Sequence, residues 1–306
     1  MVGVSMTGSA LHLVAVYALG RIGAIQIDLP LMNSAAWRQA LVSRFKITTV
    51  VGTAPDLHDV TVIAPQEQWL DPGAPSAAAA IRPAQPDAAF RINLSSGTTG
   101  PPKAVLLSHG QYMGLFERER TFFPLRHSDR YLALVDLEFV SGLRRCLEIL
   151  DVGATVVLAP RLVDPGPICD LVDEFGITIM MLTVGTAASL LSYVSGDAAR
   201  WPALRLLRIG SSPVPAGMRQ GIQERLTRHS MISYVAKHIG NVAFADATLQ
   251  LTYPDTIGRP AMGVEIEIVD ADHRPLPRGE IGQVRVRGEG FPTAYFDDAE
   301  ATARDF

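Results

Sequence analysis

Apolar residues near the start of the chain alternate between two spacings. Short runs rich in β-branched residues, such as VGVSM and then AIQIDL, are typical of buried strands. Between these runs, one apolar face has the period of a helix and is formed by Leu11, Val14, Ala15, Ala18 and Leu19. This order of strand, helix and strand predicts a βαβ unit.

The same alternation of strand and helix patterns recurs after residue 130. The runs RYLALV, ATVVLA and ITIMML are predicted strands, and helical patterns separate them at Leu143–Leu150 and Ile168–Phe175. Strands that are joined by helices form parallel sheets with both faces covered. We therefore predict an α/β fold with two stacked α/β subdomains and mostly parallel sheets.

Two changes of pattern predict the domain organisation. Residues 64–87 are rich in Pro, Ala, Asp and Gln, which indicates an irregular connection between two α/β halves. From residue 243 onwards, VEIEIVD and IGQVRVRG alternate polar and apolar positions and are joined by a polar turn with no helix between them. We predict an α/β core over residues 1–242 and a small antiparallel β subdomain, incomplete, over residues 243–306.

Composition narrows the classes of partner. The chain has 306 residues, 48% of them hydrophobic, and a net charge of −4, so it has no bulk attraction for nucleic acid or anionic membranes. Its two cysteines, Cys146 and Cys169, lie among apolar residues of predicted helices, which indicates buried free thiols. No basic leader precedes the first strand, and the apolar stretch 177–191 is shorter than the roughly 18 residues of a membrane span. We expect a cytoplasmic protein.

A loop rich in glycine and hydroxyl groups carries the main chemical signal. In INLSSGTTGPPKAVLLSHG, two predicted strands flank a turn that ends at Lys103, and the turn consists of Ser95, Ser96, Gly97, Thr98, Thr99 and Gly100. Such a turn directs several backbone N–H groups to one point, and the lysine adds positive charge, as a polyphosphate requires. It is not a Walker A loop, because two prolines precede Lys103 and a strand follows it. The alternative for this composition is a hairpin turn without a ligand.

The full string resembles the phosphate loop of the AMP-forming, acyl-adenylate-producing ligases. This family includes acyl-CoA synthetases, firefly-type luciferases and the adenylation domains of peptide synthetases. The resemblance continues in register through LEILDVGATVVLAP, LRLLRIGSSPVPAGMRQGIQERL, DTIGRPAMGVEIEIVD and PLPRGEIGQVRVRGEGFPTAYFDDAEAT. One departure is Ala104, where the family usually has glycine.

The resemblance implies an ATP-dependent reaction. A carboxylic acid would be activated as acyl-AMP with release of pyrophosphate, and its acyl group would pass to CoA or to the thiol of a carrier protein. The loop would hold the β- and γ-phosphates, and Tyr234 would stack on the adenine. The border of the adenine pocket would be formed by Gly210, Ser211, Ser212 and Pro213. The alternative for Tyr234 is a core aromatic residue at the end of a strand.

The segment Tyr234–Gly240 departs from the family pattern. It aligns with Tyr-Gly-x-Thr-Glu-x-Gly, but Lys237 and His238 stand where the family has the threonine that touches phosphate and the glutamate that helps to hold Mg²⁺. An imidazole is a poor ligand for this hard cation, so Mg²⁺ binding is in doubt here. Either Lys237 supplies charge in place of the metal, or the site has degenerated.

The predicted acid pocket also differs from the family. Phe139 stands where many acyl-CoA ligases have histidine, and Gly142 matches a family glycine. Val140 stands where relatives that activate amino acids have an aspartate, so a carboxylic acid other than an amino acid is favoured. Asp136 and Glu138 would lie on the opposite face of a strand from Phe139, which indicates a role facing solvent or the other subdomain.

The resemblance further predicts that the chain is truncated at both ends. It implies that a ribose-binding aspartate beyond Phe306, a hinge, the small C-terminal domain with its catalytic lysine and an opening segment are all missing. We expect this chain alone to be inactive or very weak. Its altered motif leaves open a second hypothesis, a non-catalytic member that binds a nucleotide or a partner. A dinucleotide-dependent oxidoreductase is disfavoured, because no G-x-G-x-x-G follows a predicted strand.

Overall fold

The computed structural model describes residues 1–73, 84–94, 102–159, 164–196, 198–236 and 238–306. The helices in these ranges are α1 (Ala10–Arg21), α2 (Ala35–Arg44), α3 (His109–Arg120), α4 (Val140–Asp151), α5 (Pro165–Glu174), α6 (Val184–Tyr193), α7 (Ala216–Arg225), α8 (Ala247–Thr252) and α9 (Ala299–Asp305). The strands are β1 (Val2–Ser5), β2 (Gln26–Asp28), β3 (Thr49–Gly52), β4 (Thr61–Ile63), β5 (Ala89–Leu94), β6 (Ala104–Ser108), β7 (Arg130–Ala133), β8 (Thr155–Leu158), β9 (Ile179–Thr183), β10 (Leu206–Gly210), β11 (Ser230–Ala236), β12 (Gly240–Asp246), β13 (Arg259–Pro260), β14 (Val264–Val269) and β15 (Gln283–Gly288).

The strands form two large sheets and one small one. The first sheet has the order β4-β3-β1-β2-β5-β6 and is parallel except for β6, which pairs antiparallel with β5. The second has the order β13-β12-β11-β10-β9-β7-β8 and is parallel from β8 to β11. Strands β14 and β15 form a two-stranded antiparallel sheet. The predicted fold class is thereby confirmed.

A shared hydrophobic core joins the two large sheets. Leu13 of α1 and Leu107 of β6 belong to the same buried cluster as Tyr131 of β7, Leu143 of α4 and Ile179 of β9. A second cluster packs α5, α6 and α7 against the other face of the second sheet. Burying a large apolar side chain stabilises a fold by about 1.5–3 kcal/mol, so these clusters fix how the two sheets stack.

Local capping explains why β6 runs directly into α3. The hydroxyl of Ser108 accepts a hydrogen bond from the backbone N–H of Gln111, and the Gln111 side chain accepts one from the backbone N–H of Ser108. This capping box satisfies two N–H groups that a helix start leaves unpaired. A strand can therefore pass into a helix without an intervening loop.

Both cysteines lie in helices, where the sequence pattern predicts them. Cys146 and Cys169 are buried free thiols in α4 and α5, as predicted. Among the described helices, none is long and apolar enough to cross a membrane. Within 64–87, residues Glu67–Leu70 form a turn of 3₁₀ helix, and residues 74–83 lie outside the described ranges.

Gly52 at the end of β3 provides a test of this packing. Its φ of 129° is unfavourable for other residues, and a Cβ there would lie 1.9 Å from the backbone oxygen of Ser5 in the neighbouring strand. We expect Gly52→Ala to lower the free energy of unfolding by at least about 3 kcal/mol. Urea denaturation followed by circular dichroism measures this.

Gly114 in α3 is the matched control. Apart from the backbone of its own helix and its chain neighbours, no atom lies within 4 Å of a Cβ added there, so Gly114→Ala should leave stability unchanged or raise it by up to about 1 kcal/mol. Equal stability of the two variants would contradict the close approach of β1 and β3.

Candidate functional site

The predicted adenine-binding residues meet at one edge of the second sheet. Gly210 ends β10, and Tyr234 lies near the end of the neighbouring parallel strand β11. The carboxyl ends of parallel strands form the usual ligand-binding edge of such sheets. The fold therefore brings together two segments that are separated by more than twenty residues in the chain.

The turn after β10 has an unusual backbone. A Cβ on Gly210 would lie 3.0 Å from the hydroxyl oxygen of Ser233, so only a small residue fits between the two strands. Ser211 has a φ of 77°, which is uncommon for a residue other than glycine. Ser211, Ser212 and Pro213 are exposed. The turn presents its backbone at the surface, where a planar ligand can approach it.

Tyr234 lies where the pairing of β11 with β12 is irregular. The register shifts between Tyr234 and Val235, and the tyrosine side chain is 37% exposed. A β-bulge of this kind redirects side chains and is frequent beside binding sites. The ring is therefore available for stacking and is not part of the buried core.

The strands that flank the predicted phosphate loop are in place, whereas the loop itself is not described. β5 ends at Leu94, and β6 begins at Ala104, which is paired with it. Six predicted contact residues lie outside the described residues: Ser95, Ser96, Gly97, Thr98, Thr99 and Gly100. Lys103, the last residue before β6, is described.

Lys103 is held by residues from the end of the chain. Its ammonium group forms an ion pair with Asp305 and lies 4.9 Å from the ring centre of Tyr295. The hydroxyl of Tyr295 donates to the Asp305 carboxylate at 3.1 Å. The hydrogen bond to Asp305 raises the pKa of Lys103, and hydrogen bonds from Arg304 and then Lys103 lower the pKa of Asp305. Lys103 is therefore fully protonated at neutral pH.

Tyr295 also connects Lys103 to the segment that departs from the family pattern. The rings of Tyr295 and His238 are 6.4 Å apart and nearly perpendicular. Lys237 lies outside the described residues. Sequence reasoning missed Tyr295 and Asp305. The only available signal was the glycine-rich run before Tyr295, which resembles the family but does not identify these two side chains.

In the part of the chain that the structure describes, the residues around His238 do not form a site for a hard metal ion. Among the described residues, no group of three or more His, Cys, Asp or Glu side chains is arranged to hold a metal. Mg²⁺ prefers oxygen ligands, and histidine supplies nitrogen. The donor set present here does not fit Mg²⁺.

The predicted acid-pocket residues lie at the start of α4. Phe139 is the N-cap and is 46% exposed, whereas Gly142 is buried. A Cβ on Gly142 would lie 2.3 Å from the backbone oxygen of Asp136, so glycine is needed where the preceding loop crosses the helix. The Glu138 carboxylate accepts from the backbone N–H of Leu31 at 2.5 Å and so faces the other subdomain.

A buried ion network lies one helical turn further along α4. Its members are Glu119 of α3, Arg144, Arg145 and Glu148 of α4, and Arg208 of β10. Burial would raise the pKa of Glu119, but Arg145, Arg208 and Arg144 outweigh it and lower this pKa to about 2. Burial raises the pKa of Glu148 to about 7, because Arg145 offsets only part of it. Positive charge therefore exceeds negative charge in this network at neutral pH.

Two clefts open at the opposite edge of the second sheet. One has a volume of about 390 Å³ and lies beside Ile179, Leu206 and Ser230, which start three neighbouring strands. The other, of about 1050 Å³, lies between α7 and α8. Neither is lined by the predicted site residues. Since ligands of parallel sheets bind at the carboxyl ends of strands, we do not assign the nucleotide to these clefts.

Comparison with known proteins gives one family. The family model described as AMP-binding enzyme matches residues 1–296. The chain is 27% identical over 323 residues to the phosphinothricin tripeptide synthetase PhsC of Streptomyces viridochromogenes, a match that covers 100% of this chain and 28% of that protein. It is 28% identical over 256 residues to an indoleacetate–CoA ligase of Aromatoleum aromaticum, with 81% of this chain and 50% of that protein covered.

Solved structures agree on the fold. The O-succinylbenzoate coenzyme A synthetase of Bacillus subtilis, in complex with ATP and a magnesium ion, superposes with a TM-score of 0.88 at 20% identity. This match covers 100% of the present chain and 64% of the synthetase. The chain thus spans less than two thirds of the length of each of these three proteins.

The ion pair at Lys103 provides a test of this site. An anion that binds Lys103 competes with the Asp305 carboxylate for the ammonium group, and both side chains are partly exposed, so the competition is modest. We expect Asp305→Asn to tighten the binding of inorganic pyrophosphate about two- to fivefold, as measured by isothermal titration calorimetry.

Glu300→Gln is the control, because it removes the same charge from an exposed position on the same helix. An equal effect of both substitutions would indicate general electrostatics and not the contact with Lys103.

Proposed function

The chain belongs to the family of AMP-binding enzymes, and from this membership we propose that it activates a carboxylic acid as an acyl-adenylate. Its relatives include a peptide synthetase and a CoA ligase, and its structural neighbours include an enzyme in complex with an acyl-adenylate intermediate. The observation that carries the proposal is the position of Lys103 at the end of a loop with the family sequence, where the ring of Tyr295 lies against both Lys103 and His238.

The proposed reaction requires stabilisation of charge on phosphate. A carboxylate oxygen attacks the α-phosphorus of ATP, a new P–O bond forms, and the bond to the β-phosphate oxygen breaks so that pyrophosphate leaves. Placing the two reactants and neutralising the developing charge account for most of the catalysis in such transfers. Lys103 and the loop residues Ser95–Gly100, with their backbone N–H groups and the hydroxyl groups of the serines and threonines, would hold the departing phosphates.

The nucleotide base has a separate binding region in this proposal. Gly210, Ser211, Ser212 and Pro213 would contact the adenine edge, and the exposed ring of Tyr234 would stack on its face. The acid would lie beside the start of α4, near Phe139, Val140 and Gly142. Each of these segments ends or begins at the carboxyl edge of the second sheet.

The acceptor of the acyl group is proposed by chemical class. The relatives comprise CoA ligases and peptide synthetases, so the acceptor is the thiol of CoA or of a carrier protein. No step is assigned to Mg²⁺, because the residues around His238 do not fit it. A specific observation also supports the second candidate function, a non-catalytic nucleotide-binding member: Lys237 and His238 replace two residues of the family motif.

Lys103 provides the test of nucleotide binding. We expect Lys103→Ala to weaken ATP binding about tenfold or more, because a charge-assisted hydrogen bond to phosphate is lost. Calorimetry measures the dissociation constant. Lys46→Ala removes the same charge from an exposed residue of the first subdomain and should change nothing.

Carboxylate-dependent exchange of pyrophosphate into ATP then distinguishes the two candidate functions. Exchange by this chain or by a longer form that contains it supports the enzyme. ATP binding without exchange in either form supports the non-catalytic member, and no ATP binding at all contradicts both.

The Lys237-His238 pair provides a second test. If the site has degenerated, the double substitution Lys237→Thr and His238→Glu should restore oxygen ligands and make ATP binding stronger in the presence of Mg²⁺. Comparing calorimetric titrations with Mg²⁺ and with EDTA measures the difference. Weaker ATP binding by the double variant under both conditions would instead indicate that Lys237 itself contacts the phosphates.

A further inference from the structure

Arg144 lies on the same face of α4 as a predicted acid-pocket residue. Val140 begins the helix, and Arg144 follows four residues later, so their side chains are neighbours one turn apart. Val140 is partly buried, whereas Arg144 is only 5% exposed. The Arg144 side chain is therefore more deeply buried than that of Val140 and lies one helical turn from the region proposed for the acid.

The same guanidinium lies against the β11–β12 hairpin, which also contains Tyr234 and His238. A Cβ on Gly240 would lie 3.4 Å from Nη1 of Arg144. The next residue, Asn241, is 1% exposed, and its side-chain Nδ2 has no hydrogen-bond partner among the described residues. A buried donor without an acceptor is costly, and so the position favours a ligand that supplies oxygen atoms.

Arg144 has fewer partners than the other arginines of its network. Arg145 is paired with both Glu119 and Glu148, and Arg208 contacts Glu119, Ser233 and Asn241. Within the described residues, Arg144 contacts one oxygen of Glu119 at 3.3 Å. A guanidinium has five N–H donors, so most of its capacity remains for another group.

Charge in the network favours an anion. Among the residues that the structure describes, three arginines face two carboxylates in this network, which leaves an excess of one positive charge when both carboxylates are ionised. The raised pKa of Glu148 increases this excess at neutral pH. Buried charge is stable only when it is paired, and a carboxylate accepts two parallel hydrogen bonds from a guanidinium.

We propose that Arg144 determines substrate specificity by binding a second carboxylate, so that the acid activated here is a short dicarboxylic acid. One carboxylate reacts with ATP at the carboxyl edge of the sheet, and the other is held by Arg144 with Asn241 as a further donor. The inference rests on the proposed function.

The test uses uncleavable analogues of the acyl-adenylate. In these analogues, a sulfamate replaces the acyl phosphate. They form two pairs of equal chain length: butanoyl and succinyl analogues, and pentanoyl and glutaryl analogues. Calorimetry gives the ratio of dissociation constants within each pair. We expect the carboxylate-ended analogue of at least one pair to bind about tenfold more tightly or better.

Substitution of Arg144 assigns the preference to this residue. Arg144→Met should reduce the ratio of dissociation constants to about three or less. Arg144→Lys should keep part of the preference for the carboxylate-ended analogue, because the charge remains without the paired donors. Arg278→Met, which removes an exposed arginine, should leave the ratio unchanged. Because a ratio is compared within one preparation, partial loss of folded protein does not alter it.

The outcomes separate this inference from the function on which it rests. Equal binding of both members of every pair, or an unchanged ratio in Arg144→Met, would overturn the proposed role of Arg144 and would leave the proposed function intact. Failure of every analogue to bind the unsubstituted chain would overturn the proposed function and the inference with it.

Discussion

The carboxylate of Glu119 holds together the elements that carry the candidate site. It lies on α3 and is surrounded by Arg144 and Arg145 from α4 and Arg208 from β10. Removing one member of such a buried group leaves a charge without a partner, which typically costs about 3–5 kcal/mol. The turn after β10, the start of α4 and the β11–β12 hairpin are therefore positioned by one electrostatic requirement as well as by apolar packing.

This requirement also links the two proposed ligand regions. Arg208 donates to Ser233 at 2.8 Å, and Ser233 lies against Gly210 and precedes Tyr234. On its other side, the network reaches Arg144 beneath the start of α4. Three side chains, those of Glu119, Arg208 and Ser233, thus connect Arg144 at the proposed acid region with Gly210 at the proposed adenine region. Networks of this kind are sensitive to single substitutions because their contributions are not additive.

Much of the fold follows from patterns that are local in the sequence. The spacing of apolar residues predicted α1, α4 and α5 and the strands beside them, because each has one face in a core. The segment after β7 shows the limit of such patterns. Alternation places Leu137 and Phe139 on the same face of a strand, but β7 ends at Ala133, and Leu137 is 2% exposed while Phe139 is 46% exposed. Alternation has no meaning once the backbone leaves the sheet.

The candidate site depends on contacts that sequence patterns do not encode. Lys103 and Asp305 are 202 residues apart in the chain, and the two arginines of α4 look like an ordinary solvated face until the partners on α3 and β10 are known. Lys103 and Arg144 also differ in their exposure to solvent. Lys103 is 33% exposed, so water screens its ion pair with Asp305, and the proposed phosphate ligand would meet only a weak competitor there. Arg144 is buried, so a ligand without a matching carboxylate would leave its charge uncompensated, which is why the proposed discrimination between acids is assigned to Arg144.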